Sequence, residues 1–389
     1  MKYFILVPDG GADWQIPELG GKTPFEAAKM ENIQMLAKIG EVGNVQTIPE
    51  GVDPGSDAAN LAILGYDPKT YLTGRAPLEA AAMGIPMRTG ETAFRASLVT
   101  LEGDRAYPDR TVKDHSAGDI GDEDAKAAIT LIDRELGSET LRFYPGVSYR
   151  CLLIATKLDT GEKITPPHDI LGRRVGDYLP ESPEIRRIME RSAEVLKNSG
   201  TAANALWIWG QGKKPALPKL AERYGVTGSM VAAVNLLKGI GRCAGLDCPN
   251  VPGATGTLHT DYRAKAESAI SAFRTGAELV FLHVEAPDEC SHAGDLAGKL
   301  ESLEKIDREV FLPVYGYLKQ SGEPYRILIL PDHRTPAALR THTSEPVPFL
   351  LYDSEKTPAP RGDRAFTEAY GALGEPVPSG EALAARLFA

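Results

Sequence analysis

Cysteine, long apolar runs and excess positive charge are all scarce in this chain of 389 residues. Its four cysteines, at positions 151, 243, 248 and 290, form no CxxC pair, a pattern typical of reduced thiols rather than of a disulfide framework. No apolar segment approaches the roughly 18 residues of a membrane-spanning helix, and the apolar run at residues 3–7 is followed by no cleavage pattern. We therefore expect a cytoplasmic protein without a membrane partner.

The charge balance is acidic, with 43 basic and 53 acidic residues and a formal net charge of −10. Nucleic-acid-binding proteins usually carry the opposite excess, so we expect no nucleic-acid partner. An anionic small substrate stays compatible with this balance, because a few arginines or a metal ion can reverse the local field. The apolar share of 42% is that of a globular protein, and the length predicts two or three domains.

Three short apolar runs end in acidic residues and predict buried parallel strands. They lie at residues 3–7, 278–284 and 326–330, and helical patterns at residues 23–39, 56–64, 261–273 and 296–318 separate them. Strands that alternate with helices indicate an α/β fold with a mostly parallel sheet. Ligands bind beyond the carboxyl ends of such strands, so the acidic residues from both ends of the chain should share one site.

The middle of the chain has a different pattern, with predicted strands at residues 93–100, 142–144 and 150–156 punctuated by turn residues. We interpret residues 86–180 as a smaller inserted α+β domain. Residues 1–85 and 181–389 would then form one discontinuous domain. The Trp-rich run at residues 207–212 is predicted to return to the main sheet.

Carboxylates and imidazoles follow the predicted strands at metal-ligand spacing. Asp288-x-x-x-His292 places a carboxylate and an imidazole on one face of a helix or tight loop. Asp332-His333 ends the third strand, His342 follows in Arg-Thr-His-Thr, and Asp9 ends the first strand. Such mixed ligands suit Mn²⁺, Zn²⁺ or Fe²⁺, although each motif alone is also a common turn or surface feature.

Ser56 is the candidate nucleophile, because it follows Pro-Gly and precedes a helical run. In that position it is either an ordinary helix cap or a hydroxyl aimed at a phosphate, since a helix N-terminus favours anions. A serine hydroxyl is a weak nucleophile, and metal coordination would activate it at neutral pH. A metal–serine pair is therefore coherent chemistry for phosphoryl transfer.

Together, these motifs resemble the alkaline phosphatase superfamily and, within it, the cofactor-independent phosphoglycerate mutases of the archaeal type with their bacterial relatives. Further matching stretches are Tyr-Leu-Thr-Gly-Arg-Ala-Pro-Leu-Glu at residues 71–79, Pro-Gly-Ala-Thr-Gly at 252–256 and Thr-Asp-Tyr-Arg-Ala-Lys at 260–265. The resemblance covers nearly the whole chain. It implies an alkaline-phosphatase-like core.

The resemblance also implies two divalent metal ions, Mn²⁺ or alternatively Zn²⁺, Fe²⁺ or Co²⁺. One ion would be held by Asp9, Ser56, Asp332 and His333, and the other by Asp288, His292 and His342. Ser56 would accept the phosphate of phosphoglycerate and return it to the other hydroxyl, making the protein an isomerase of glycolysis and gluconeogenesis. Closure of the inserted domain would keep water from the phosphoserine.

Substrate contacts are predicted for Arg75, His115, Arg150, His168 and Lys265. One departure from the family keeps alternatives open: archaeal mutases are arginine-rich where residues 114–119 read Asp-His-Ser-Ala-Gly-Asp. A homoserine kinase-like phosphotransferase, whose substrate ammonium would pair with Asp114 or Asp119, is the first alternative. A phosphohydrolase and a non-catalytic metal-binding protein are the others. No Walker-type phosphate loop is present to indicate a nucleotide donor, and the oligomeric state is not predicted.

Overall fold

A computed structural model describes residues 1–158, 161–356 and 359–389 of the chain. It contains two compact units: unit 1 is formed by Met1–Leu72 and Ala216–Ala389, and unit 2 is formed by Thr73–Pro215. The boundaries therefore differ from those predicted at residues 85/86 and 180/181. No helix of the described residues is long and apolar enough to cross a membrane.

The strands, numbered in chain order, are β1 (Lys2–Pro8), β2 (Glu41–Val45), β3 (Glu91–Glu102), β4 (Thr111–Asp114), β5 (Leu141–Val147), β6 (Arg150–Thr156), β7 (Ala205–Lys213), β8 (Gly228–Val231), β9 (Leu279–Val284), β10 (Tyr325–Ile329) and β11 (Val347–Asp353). The α-helices are α1 (Pro24–Ala27), α2 (Glu31–Ala37), α3 (Ser56–Ile63), α4 (Pro68–Tyr71), α5 (Arg75–Ala82), α6 (Asp122–Leu136), α7 (Pro183–Leu196), α8 (Leu220–Tyr224), α9 (Asn235–Cys243), α10 (Tyr262–Arg274), α11 (Ala286–Ala293), α12 (Leu296–Lys305), α13 (Leu312–Ser321), α14 (Glu368–Gly371) and α15 (Gly380–Phe388).

Unit 1 is built on a six-stranded sheet of order β2-β11-β10-β1-β9-β8. The four strands from β10 to β8 run parallel, whereas β11 and β2 are antiparallel to their neighbours. Every residue of β9 is buried, as expected for a parallel strand covered on both faces. The predicted α/β class and the three predicted strands β1, β9 and β10 are confirmed.

Unit 2 has its own five-stranded sheet, in which β3 is the long central strand. β3 pairs antiparallel with β4, β6 and β7, and β5 pairs with β6. The prediction that residues 207–212 return to the main sheet is wrong, because β7 pairs with β3. Its buried tryptophan Trp207 packs in the core of unit 2 with the apolar faces of α6 and α7.

The long helical patterns of unit 1 are segmented differently from the predictions. The stretch 23–39 breaks between α1 and α2 at residues 28–30, before Asn32 rather than at it, and the reciprocal capping bonds of Thr23 and Glu26 fix the start of α1. The stretch 296–318 continues through a π-helical segment, Ile306–Phe311, into α13. Pro313 does not interrupt it, and it lies in the first turn of α13, directly after the π-helical segment.

Candidate metal and phosphoryl-transfer site

The carboxyl ends of the three central parallel strands of unit 1 place their acidic residues together. Asp9 directly follows β1, Asp332 follows β10, and Asp288 lies in the first turn of α11, just after β9. In a parallel sheet these ends meet at one edge, which is why residues more than 300 positions apart in sequence become neighbours. The structure therefore brings together the acidic residues that the sequence analysis placed at the three strand ends.

Asp9, Asp332 and His333 form one fully buried group, whose ligand atoms lie within 4.8 Å of one another. The carboxylate of Asp332 is held from three sides. One oxygen accepts the backbone N–H groups of Gly10 at 3.1 Å and His333 at 3.0 Å, and the other accepts Asn60 Nδ2 at 2.9 Å. By contrast, Asp9 Oδ1 is buried and has no hydrogen-bond partner among the described residues. An orphaned carboxylate oxygen at such depth is costly unless it has a cation to bind.

Asp288, His292 and His342 form the second group, again with ligand atoms within 4.8 Å. His292 Nδ1 donates to a backbone carbonyl at 2.9 Å, and His342 Nδ1 donates to another at 3.3 Å. The two Nε2 atoms are left facing each other at 2.9 Å, and both approach the carboxylate of Asp288. Two such nitrogens need a proton or a metal cation between them.

Thr335 connects the two groups and was missed by the sequence reasoning. Its hydroxyl donates to Asp288 Oδ1 at 2.6 Å and accepts from His333 Nδ1 at 3.1 Å. This bond fixes the His333 ring so that its Nε2 faces Ser56. A fixed ring orientation of this kind is what an imidazole ligand requires.

Ser56 is the first residue of α3, and Gly55 is its cap. The Ser56 hydroxyl makes no capping bond, so the interpretation of Ser56 as an ordinary helix cap is wrong; instead, Oγ lies 3.2 Å from His333 Nε2. Asn60, one helical turn later, donates from the same nitrogen to the Ser56 carbonyl and to Asp332. The first turn of α3 is thereby tied to the end of β10.

The electrostatics of the two groups favour a cation. Burial, followed by the charges of Asp332 and Asp288, raises the pKa of Asp9 well above its usual range. The hydrogen bond to Asp288 raises the pKa of His292 to about 9. Neighbouring carboxylates contribute to both shifts. The donor set of carboxylate, imidazole and hydroxyl groups fits divalent transition metals.

A buried chain of charged groups behind the first metal-ligand group was also missed. His283, inside β9, lies with Nε2 3.6 Å from Asp9 and 3.7 Å from Asp332, and with Nδ1 3.6 Å from Glu285. Burial alone would lower the pKa of His283, but the carboxylates of Asp332 and Glu285 outweigh it and raise that pKa to about 9. A histidine in an otherwise apolar strand was the sequence signal that could have found it.

Lys265 completes this chain of charged groups. The structure contradicts the prediction that Lys265 contacts a substrate. The side chain is fully buried, and its ammonium donates to Glu285 and to the His283 carbonyl. With its donors directed at those two partners, Lys265 lies behind the carboxylates as a structural cation.

The other predicted substrate-binding residues lie in unit 2. The rings of His115 and His168 are 6.0 Å apart, and Trp209 lies 5.6 Å from His168. Burial lowers the pKa of His168, the charge of Asp169 opposes this shift, and the charges of His115, Arg95 and Arg75 add to it, which places Arg75 near the same ring.

Arg150 joins this cluster through Tyr149, as its guanidinium stacks 4.6 Å from the Tyr149 ring, which itself lies 5.7 Å from His115. The aromatic partners Tyr149 and Trp209 were not predicted. The neighbouring Asp114 carboxylate accepts two bonds from Ser116 and one from Gly118. Its oxygens therefore hold the loop, which argues against Asp114 as the partner of a substrate ammonium.

Comparisons with known proteins identify relatives of this chain. A family model described as 2,3-bisphosphoglycerate-independent phosphoglycerate mutase matches residues 37–201. A protein of that name from Methanosarcina barkeri is 45% identical over 382 residues, covering 95% of this chain and 94% of the relative.

Two solved structures share the fold. A protein from Pyrococcus horikoshii is similar over 99% of this chain and 96% of its own, with 28% identity and a TM-score of 0.78. The cofactor-independent phosphoglycerate mutase from Thermoplasma acidophilum covers 100% of both chains, with 24% identity and a TM-score of 0.65.

Proposed function

We propose that this chain, which belongs to the 2,3-bisphosphoglycerate-independent phosphoglycerate mutase family, interconverts 3-phosphoglycerate and 2-phosphoglycerate through a phosphoserine at Ser56. The observation that carries the proposal is the position of the Ser56 hydroxyl. It lies at the start of a helix, 3.2 Å from His333 Nε2 and beside two groups of metal-ligand type. A purely structural metal site needs no such hydroxyl.

The proposed ligands of two divalent cations are those implied by the resemblance: Asp9, Ser56, Asp332 and His333 for one, and Asp288, His292 and His342 for the other. The orphaned oxygen of Asp9 and the facing nitrogens of His292 and His342 support this assignment. When bound, such cations supply positive charge that lowers the pKa of a serine hydroxyl and stabilises a transferring phosphoryl group. Mn²⁺ is our first choice, with Zn²⁺, Fe²⁺ and Co²⁺ as alternatives.

Residues of this chain position the nucleophile for two successive half-reactions. Ser56 Oγ gives up its proton and forms a bond to phosphorus while the bond from phosphorus to the substrate's 3-oxygen breaks, and that oxygen takes up a proton. The 2-hydroxyl then attacks the phosphoserine and releases a proton, and Ser56 Oγ leaves as the hydroxyl. No phosphate donor is consumed. Asn60 holds the backbone of Ser56 through both steps, because it bonds the Ser56 carbonyl and Asp332.

Recognition of the substrate's carboxylate by Arg75, His115, Arg150 and His168 remains a prediction, as does a cytoplasmic location. The two arginines support the first, since guanidinium groups bind anions of this type. The substrate itself is a small phosphorylated metabolite.

A phosphorus NMR time course tests the proposal directly. The full chain, loaded with Mn²⁺, receives 3-phosphoglycerate and no other phosphate source. We expect a 2-phosphoglycerate signal to grow, and the Ser56→Ala variant to lose at least a thousandfold in rate. Metal content, measured by mass spectrometry on the same samples, should stay within about twofold, since six protein ligands remain.

Three other outcomes would contradict the proposal. Inorganic phosphate alone would indicate a phosphohydrolase. An unchanged spectrum, followed by phosphorylation of homoserine when ATP is added, would indicate the phosphotransferase alternative. Full activity in Ser56→Ala would exclude the phosphoserine.

A further inference from the structure

Unit 1 contains a basic cavity far from the Ser56 site. It has a volume of about 600 Å³ and lies where β10, β11 and β2 meet the C-terminal part of the chain. Arg326, in its wall, pairs in register with Tyr3 of β1. Tyr3 precedes Asp9 by six residues of a strand that rises about 3.3 Å per residue, so this cavity is roughly 20 Å from the metal-ligand groups, at the opposite end of the sheet.

The charge of this cavity contrasts with that of the chain. Five of its twelve lining residues are basic, although 43 basic residues in 389 would give about one by chance. The five are Arg326, Lys356, Arg361, Arg364 and Arg386. Among the described lining residues only two carboxylates, Glu41 and Asp353, face the same space, which leaves an excess of three positive charges in a chain whose net charge is −10.

The internal contacts hold part of this charge in place. Arg326 is largely buried, and donates to Asp353 at 2.9 Å and to the Leu387 carbonyl at 2.8 Å. Arg364 donates to the carbonyl of Gly40, which orients the guanidinium without neutralising it. Fixed guanidinium groups lose little entropy on binding and match the geometry of phosphate oxygens.

Arg361 contributes a guanidinium group that has no hydrogen-bond or ion-pair partner among the described residues. Its backbone N–H bonds the Lys38 carbonyl. Lys356 and Arg326 share the single carboxylate of Asp353, and Arg386 pairs with Glu41 at 3.0 Å. Mutual repulsion among these groups is therefore only partly offset within the protein.

We propose that this basic cavity is a second anion site, which binds a small molecule carrying two or more phosphate groups. The excess of three charges matches a polyphosphate better than a monoanion, and the volume lies within the range of small-molecule sites. The apolar wall formed by Val42 and Leu351 and the ring of Tyr370 would take the organic part of such a ligand. The inference is independent of the reaction at Ser56.

Isothermal titration of the full chain with inorganic tripolyphosphate tests this site. The protein is first treated with EDTA, so that the probe is not consumed by metal and the acidic Ser56 site offers no attraction for anions. We expect saturable binding that depends on Arg361. Inorganic monophosphate should bind more weakly, because it carries less charge. In Arg361→Glu the dissociation constant should rise about tenfold to a hundredfold, the loss typical of a charged hydrogen bond.

Lys126→Glu is the matched control, since it makes the same charge change at an exposed position of α6 in unit 2. Retained affinity in Lys126→Glu with loss in Arg361→Glu supports the proposal. Equal weakening in both variants would mean general attraction to surface charge and would overturn it. Absence of saturable binding in the unmodified chain at millimolar tripolyphosphate would overturn it as well.

Discussion

Replacing Lys265 by methionine should destabilise unit 1 strongly, because it removes the ammonium that pairs with the buried carboxylate of Glu285 and leaves His283 as a more distant cationic neighbour. Lys265 and Glu285 are both nearly inaccessible, with side-chain exposures of 0% and 4%. Removing one partner of such a buried pair typically costs about 3–5 kcal/mol. Glu285 keeps two backbone N–H donors, from Ala233 at 2.7 Å and Val234 at 3.2 Å, so we expect the lower end, about 3 kcal/mol. That is a large part of the roughly 5–15 kcal/mol that stabilises a typical domain.

The stability that the Lys265–Glu285 pair contributes depends on pH with a definite sign. Burial alone would raise the pKa of Glu285, but the Lys265 ammonium and, after it, the His283 ring outweigh burial and lower the pKa to about 2. In the unmodified chain this depressed pKa contributes stability above the unfolded pKa of 4.5 and loses it as the pH falls towards 2. In Lys265→Met the pKa of this carboxyl should rise, because one of its two cationic neighbours is lost while His283 stays, and protonation should relieve part of the cost. The difference between the two proteins should therefore shrink as the pH is lowered from 7.

Native-state hydrogen exchange is the suitable assay, since two units make a single global unfolding transition unsafe to interpret. Peptides from β1 and β9 report on unit 1, and peptides from β3 act as an internal reference in unit 2. Lys265→Met with Glu285→Gln is the matched double variant. The amide that Glu285→Gln introduces keeps an acceptor for the two N–H groups without a charge, so at least half of the lost stability should return. A loss below about 1 kcal/mol in the single variant, or no recovery in the double, would refute the reasoning.

Three further predictions concern the Ser56 site. Thr335→Val, which removes the hydroxyl between His333 and Asp288, should weaken metal binding about tenfold to a hundredfold in a chelator competition, with an unchanged circular dichroism spectrum; unchanged affinity would contradict the bridging role. Gly10→Ala should lower the free energy of unfolding by about 2 kcal/mol or more in a denaturant melt, because φ is +58° and a Cβ atom would lie 2.5 Å from Asp288 Oδ1 and Thr335 Oγ1. Gly20→Ala is the control, since Gly20 has φ +70° but no atom within 4 Å of the added Cβ, and it should cost clearly less. EDTA should abolish mutase activity and lower the melting temperature, and Mn²⁺ should restore both. At a hundred times its dissociation constant, Mn²⁺ should add about 2.7 kcal/mol to the free energy of unfolding. A melting temperature that does not change with Mn²⁺ would exclude tight binding to the folded state.

Much of the candidate site could be predicted from the sequence because its members follow strands whose apolar runs are unmistakable. Asp9 comes directly after β1, Asp332 comes three residues after the end of β10, and the four-residue spacing of Asp288 and His292 is local geometry on α11. Sequence position alone therefore determined that these groups would meet at one edge of one sheet. The α/β class and the start of α3 at Ser56 followed from equally local patterns.

Tertiary structure alone decided what lies behind and between those residues. Thr335 carries no sequence signal, yet its hydroxyl orients His333 because a loop brings it against Asp288. Lys265 was expected to face a substrate, and only its burial beside Glu285 shows a different role. The strand β7 reads like a member of the main sheet, but sheet membership depends on which strand offers a free edge, and β3 does so in unit 2. Local patterns fix what a segment becomes; partners far away in sequence fix where it packs and which side chains touch.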